Sequence, residues 1–282
     1  MHLFRSIRLL PLGTLLAAAA LLSSCGSAGD TVGALLVTDA DEVKIGQQFD
    51  AQQHADRTVK FYDTTTAPHK RVKAYVDSVV RNVLAQVPQS DRPAYFDDFK
   101  ISLIDTNIIN AFAVPGGFVY IYTGILDTLR DESELAAIIG HELTHVLHHH
   151  YRNLLVEQYG ISAVVHAVGG DSTALAGIAT SLLSLKLSRD HEADADQNGT
   201  VLAGAAGYNP LGVADFFQRM PDGALEVLSD HPSNQSRVDA VTAQVKASSS
   251  LSALAWTDAA KTVVNTATQY GSRYLAIRGQ VH

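Results

Sequence analysis

His141-Glu142-Leu143-Thr144-His145 is the segment that most constrains how this chain can fold. Residues four apart on an α-helix share one face, about 6 Å apart along the axis. Two imidazoles at that spacing can close on a single metal ion. The glutamate between them then lies beside the metal, placed to take a proton from water. This is the H-E-x-x-H pattern of zinc hydrolases. The competing reading is a solvated helix face that happens to carry histidines. The flanking residues argue against it. Asp131 to Gly140 reads as a helix start, with acids in its first turn. Leu135, Ile138 and Ile139 then mark an apolar stripe that Leu143, Val146 and Leu147 continue. Gly140 comes just before the first histidine. A glycine inside a helix costs up to about 1 kcal/mol, so close packing should require it, and a neighbouring strand is the expected partner.

Two histidines and a water leave a tetrahedral zinc site one protein ligand short. The missing ligand is expected on another element, in the segment Ser188 to Gly199, which is rich in acids. Glu192 is the choice. Asp196 sits four residues further along the same helix face, placed to accept the free N–H of a ligating histidine and fix its tautomer. His148, His149 and His150 read as a solvated helix end, where cationic or polar groups suit the helix dipole. His191 reads as an outer group of the site or a surface residue.

The first residues form a targeting signal. Arg5 and Arg8 give a basic start, Leu9 to Leu22 a short apolar core, and Ser23-Ser24-Cys25 a small-residue end. The apolar run is short for a spanning helix and has the layout of a secretory signal. Cys25 is the only cysteine, which excludes an intramolecular disulfide. The segment resembles the bacterial lipoprotein signal. That resemblance implies cleavage after residue 24, lipidation of Cys25 and a lipid anchor in the cell envelope facing the periplasm. Gly26 in place of an aspartate favours the outer membrane. Residues 25–38 then form a tether. Without residues 1–24 the chain loses two arginines and no acids, so its formal charge moves from −8 to −10. An acidic surface argues against nucleic acid as a partner.

Along the remaining chain, Asp39 to about Asp63 reads as a helix, with Asp39 and Glu42 at capping-box spacing. Val72, Val76, Val79, Val83 and Val87 recur at three and four, predicting an amphipathic helix over 69–87. Residues 99–104, 112–114 and 118–122 read as three short strands of one small sheet. Pro115-Gly116-Gly117 turns the chain between the last two. Residues from Asp131 onward read as helical. The apolar stretch 160–187 is broken by His166, Gly169-Gly170 and Asp171. It is expected to form two buried helices in a hairpin beside the site, not a membrane span.

H-E-L-T-H followed by S-R-x-x-E-x-x-A-D resembles the zinc metalloproteases of the CAAX prenyl protease and HtpX type, metallopeptidase family forty-eight. The likeness is greatest to its secreted BepA-like and LoiP-like branch. Asn110 to Gly124 matches that family's strand segment, and the likeness runs from about Glu42 to Arg237. The resemblance implies an α+β, mostly helical zincin of the gluzincin type, with a small antiparallel or mixed sheet packed on the H-E-x-x-H helix. It implies one zinc per chain held by His141, His145 and Glu192, with Glu142 as general base and Asp196 as an outer group. Ser229-Asp230-His231-Pro232 resembles a family segment whose histidine approaches the zinc, as a further ligand or as a stabiliser of the reaction. Arg237 matches a family arginine near the site. Asn110, Ala111, Phe112 and Ala113 are expected to bind a peptide substrate as an added β-strand. The protease domain is then 39–246, with a helical extension over 247–282. Two departures stand out. Gln197 replaces an arginine common after the Ala-Asp pair, and the chain is too short for the C-terminal repeat domain of larger members. The activity implied is hydrolysis of envelope proteins, with misfolded ones as the expected substrates. The alternative is a chaperone-like quality-control factor that binds misfolded outer-membrane proteins and rarely cleaves.

Overall fold

The computed structural model describes residues 36–220, 234–255 and 273–282. Helix α1 spans Asp39–Ala55 and starts at a capping box, but one residue earlier than the sequence predicts. Thr38 is the extended N-cap. Its hydroxyl accepts from the Asp41 N–H, and the Asp41 carboxylate accepts from the Thr38 N–H at 3.0 Å. The helix also stops at Ala55, short of Asp63. The Asp56 carboxylate takes the N–H and hydroxyl of Thr58 at 2.8 and 2.7 Å, a local turn that competes with helical hydrogen bonding. The chain then runs extended, and Phe61 bridges to Ile104. Helix α2, Ala67–Leu84, is capped by Thr66 and buries Val72, Val76, Val79 and Val83 completely.

Strands β1 (Lys100–Ile104), β2 (Ala111–Val114) and β3 (Phe118–Tyr122) form one mixed sheet in the order β1-β3-β2. β1 runs parallel to β3 and β2 antiparallel to it. Gly116 and Gly117 both take φ +82°, the left-handed conformation that the tight turn between β2 and β3 requires. Alternate side chains point to opposite faces of a strand, so the sheet sorts its residues into two cores. Ile101, Leu103, Ala111, Ala113, Val119 and Ile121 join the core that contains α2 and the H-E-x-x-H helix. Phe112, Val114, Phe118 and Tyr120 join a second core with Ile45 and Phe49 of α1.

After a short helix α3, Thr123–Thr128, comes α4, Glu132–Leu147, which carries His141, Glu142 and His145. Asp131 caps it by accepting from the N–H groups of Ser133 and Glu134. The sequence marks one apolar stripe on α4, yet every residue of the helix is buried. A helix covered all round must pair its acids internally. The Glu134 carboxylate takes both Nη atoms of Arg219, at 2.5 and 2.7 Å, and Glu132 accepts from the Tyr208 hydroxyl at 3.0 Å.

Helices α5 (His150–Tyr159), α6 (Ile161–Val168) and α7 (Ser172–Ser181) follow. α6 and the segment from Ser172 to Ser184 meet at a 118° bend. They bury one face only: Val164, Ala167, Val168, Ile178, Ala179 and Leu182 pack into the second core. The pair therefore lies across the sheet from α4, not beside the H-E-x-x-H segment, because its partners are the side chains of the sheet's far face. Among the described residues no single helix is long and apolar enough to cross a membrane. Helix α8, Arg189–Ala205, returns against α4, followed by α9 (Gly212–Arg219), α10 (Asn234–Ala247) and α11 (Ser249–Leu254).

The close neighbour of Gly140 is α8, not a strand. A Cβ on Gly140 would lie 2.6 Å from the Gly199 carbonyl oxygen, and one on Gly199 would lie 2.6 Å from the His141 nitrogen. Backbone meets backbone here, and Ala195 and Ala203, one helical turn to either side of Gly199, are fully buried.

Candidate metal centre

Three donors converge where α4 and α8 cross. His141 Nε2 and His145 Nε2 are 3.0 Å apart. Glu192 Oε2 lies 3.3 Å from His141 Nε2, and Glu192 Oε1 lies 3.6 Å from His145 Nε2. The two rings are nearly perpendicular, at 82°. All three residues are buried. The i,i+4 spacing supplies the histidine pair, and the Gly140–Gly199 contact brings the first turn of α8, with Glu192, up to it.

Asp196 stands one turn beyond Glu192. Its Oδ1 is 3.0 Å from His141 Nδ1. Arg237, on α10, grips the same carboxylate twice, Nε to Oδ2 at 2.7 Å and Nη2 to Oδ1 at 2.6 Å. The Arg237 guanidinium also lies over the Phe217 ring of α9, 4.1 Å from its centroid. One carboxylate thus links three helices to the first histidine.

Burial pushes Glu142 up to about 7, against the pull of His141 and of the Ala113 N–H, and the Glu192 charge adds to the rise. Burial opposes a charge on His141, but its hydrogen bonds to the Asp196 and Glu192 carboxylates outweigh it and hold the ring at about 9. The contact with Ala113 ties Glu142 to β2, an edge strand of the sheet. Asn110 and Ala111 join Ile125, Ile138, Val213, Phe216 and Phe217 around a small apolar pocket next to His141 and Glu142. Phe112 departs from its neighbours. Its side chain stacks on Tyr120, ring centroids 4.9 Å apart, in the core on the far face, so only its main chain borders the site side.

His231 and Cys25 lie outside the described residues. The three histidines after the ligand pair do not form one solvated end. His149 adopts φ +57° and reverses the chain, and its Nδ1 lies 2.8 Å from the buried Glu42 carboxylate. His150 folds back under the site, buried, with Nδ1 2.8 Å from His145 Nδ1, and its ring stacks on His191. Only His148 is exposed, beside Asp194. The run of three gives no period from which to read this, because it depends on one left-handed residue.

The sequence model of Peptidase family M48 matches residues 70–245. This chain belongs to that family. Among curated relatives, it is 27% identical to the mitochondrial metalloendopeptidase OMA1 of Schizosaccharomyces pombe over 66% of this chain and 55% of that protein. It is 24% identical to the beta-barrel assembly-enhancing protease of Yersinia pestis over 74% and 45%. It is 28% identical to the metalloprotease LoiP of Escherichia coli over 49% and 60%. The chain thus spans about half the length of these relatives.

For this M48 member the donors suit a zinc ion in spacing and in charge. Two ligands at 2.0–2.1 Å from one tetrahedral centre are about 3.3 Å apart, and the three separations here are 3.0, 3.3 and 3.6 Å. Glu142, Glu192 and Asp196 are buried together, with Arg237 in contact with Asp196 and near Glu192, and the charge on His141 is a proton that a metal at Nε2 would displace. A dication would balance the two remaining negative charges, which are costly when buried.

Asp196→Asn is expected to lower zinc affinity about 10- to 100-fold by loosening His141. It also strips Arg237 of its carboxylate, at a cost of about 3 kcal/mol. Zinc titration against a chromophoric chelator, with thermal melts of the apo form, measures the two effects separately. Wild-type affinity in the variant would remove Asp196 from the support of the site.

Proposed function

We propose that this chain is a zinc-dependent metalloendopeptidase of the cell envelope that cleaves proteins which have failed to fold. The observation that carries the reading is the meeting of His141, His145 and Glu192 at one point, with Glu142 beside them and an edge strand alongside. His141, His145 and Glu192 would hold the zinc. When bound, zinc makes water more acidic toward about pKa 7 and polarises a carbonyl. Glu142 takes the proton from the attacking water and passes it to the leaving amine. Asp196 and Arg237 keep His141 in the tautomer whose Nε2 faces the metal. β2 receives an extended peptide by main-chain pairing, and the pocket of Ile125, Ile138, Val213 and Phe216 takes an apolar side chain. Apolar side chains on extended backbone are what an unfolded protein exposes. The name of the Yersinia pestis relative, a beta-barrel assembly-enhancing protease, supports an envelope substrate.

The test is cleavage of casein by the chain beginning at Cys25. Cleavage is expected to stop on chelation and to return with one equivalent of zinc. A chain that binds zinc and leaves casein and unfolded envelope proteins intact would overturn the protease reading in favour of a binding factor.

The anchor follows from the signal and Cys25. Cys25→Ala is expected to abolish lipid labelling and leave a soluble or unprocessed product. Unchanged membrane fractionation with no loss of labelling would overturn it.

A further inference from the structure

The geometry points to a second divalent-cation site, formed by His148, His150 and Asp194, whose occupancy opposes occupancy of the first. The inference rests on the reading of His141, His145 and Glu192 as a metal site. His148 Nδ1 is 2.5 Å and His150 Nε2 3.3 Å from the same oxygen, Asp194 Oδ2. Asn198 Nδ2 donates to the other oxygen, Oδ1, at 3.0 Å, and so holds the carboxylate with Oδ2 toward the histidines. The His191 ring lies flat on that of His150, centroids 4.4 Å apart at 18°, and fixes its plane. His150 is buried at the floor of the cluster, while His148 and Asp194 are about one third exposed, so an ion can enter from solvent. Two imidazoles and a carboxylate suit zinc and its neighbours in the first transition row.

Proton bookkeeping couples this cluster to the first site. His145 Nδ1 and His150 Nδ1 are 2.8 Å apart, so one must carry a hydrogen and the other must not. With a metal at the first site, His145 gives its Nε2 lone pair to that metal and keeps its proton on Nδ1. His150 Nδ1 must then accept. The His150 proton therefore sits on Nε2 and donates to Asp194, so Nε2 has no lone pair for a cation. When a cation takes His150 Nε2, the proton moves to His150 Nδ1. His145 Nδ1 must then accept, and its own proton shifts to Nε2, where it blocks ligation of the first metal. Both sites fill only if the pair loses one proton or a ring turns and breaks the Nδ1···Nδ1 contact. Either costs affinity, and by linkage each ion weakens the other by the same factor.

The test is equilibrium dialysis of the metal-stripped full chain against zinc alone, repeated with cobalt alone to follow ligand geometry by absorption. The wild type is expected to show one tight step and a second step at least about tenfold weaker. His148→Ala should leave the first step unchanged and remove the second. His150→Asn should also remove the second step, because its amide oxygen stands where Nδ1 stood and can still accept from His145 Nδ1–H while nothing replaces Nε2. In His141→Ala the first site is broken while His145 can still shift its proton between its two ring nitrogens. There the step that depends on His148 should tighten about tenfold relative to the wild-type second step. Three results would overturn the inference: a wild-type isotherm that stops at one equivalent, a second step that survives His148→Ala, or a second step unchanged in His141→Ala. A wild type that binds no zinc at the first site would instead sink the metalloprotease reading.

Discussion

Glu142→Gln is expected to retain its zinc and to lose peptide hydrolysis by about 100- to 10,000-fold, the usual contribution of a positioned general base. The amide has nearly the shape of the carboxylate, so the buried space between α4 and β2 stays filled and the Ala113 N–H keeps an acceptor. What disappears is the capacity to take a proton. Glu192→Ala and His145→Ala should behave in the opposite way and lose the metal first. Each removes one of three donors whose spacing matches a single tetrahedral centre. Metal content by mass spectrometry and casein cleavage, measured on the same samples, separate the two classes. Full zinc occupancy in Glu192→Ala would mean that the third ligand has been misassigned. Undiminished cleavage by Glu142→Gln would remove the general base from the mechanism.

Gly199→Ala should be almost as damaging, although it changes no chemical group of the site. The added Cβ would stand 2.6 Å from the His141 nitrogen and 2.7 Å from the Gly140 carbonyl carbon. These are backbone atoms in the middle of a fully buried helix, so α8 must move away from α4. Overpacking of this kind costs about 1–3 kcal/mol. The larger consequence is at Glu192, two turns back on α8, whose oxygens are held within 3.3–3.6 Å of the two histidines. A shift of the helix opens that spacing. We expect a lower melting temperature and a large loss of zinc affinity together. Gly177→Ala is the control. It lies on α7 with nothing within 4 Å of an added Cβ, and should be neutral or slightly stabilising. A Gly199→Ala protein with wild-type melting and zinc content would show that the helix crossing does not set the metal geometry.

These two experiments divide the site according to how it could be read. His141, Glu142 and His145 are legible because helical periodicity alone puts the histidines on one face. Glu192 and Asp196 are legible as a pair for the same reason, since four residues again make one turn. The strands were also readable, with boundaries within a residue or so, because their apolar residues are bounded by Pro115-Gly116-Gly117. Where the readings missed, competition between local and distant partners decided. α1 ends at Ala55 because Asp56 prefers Thr58 to the next helical turn. Gly140 and Gly199 are each visible as a helix glycine, but only the fold shows that they face one another. A signal was present in the small residues Ala195, Gly199 and Ala203, spaced one turn apart on α8.

The sequence by itself determined the chemistry: two histidines and a glutamate on one turn, an acid pair on another, and a glycine where each helix must be thin. Spacing along one helix is a local property, and local geometry follows from the backbone alone. Tertiary structure decided everything that depends on which helix meets which. It sent the 161–184 pair to the far face of the sheet, where the outward side chains of alternating strands could bury it. It also turned His150 back under His145 through a single left-handed residue, His149, placing the two Nδ1 atoms 2.8 Å apart. That reversal costs local energy and persists because His149 finds the buried Glu42 carboxylate, more than one hundred residues away in the chain.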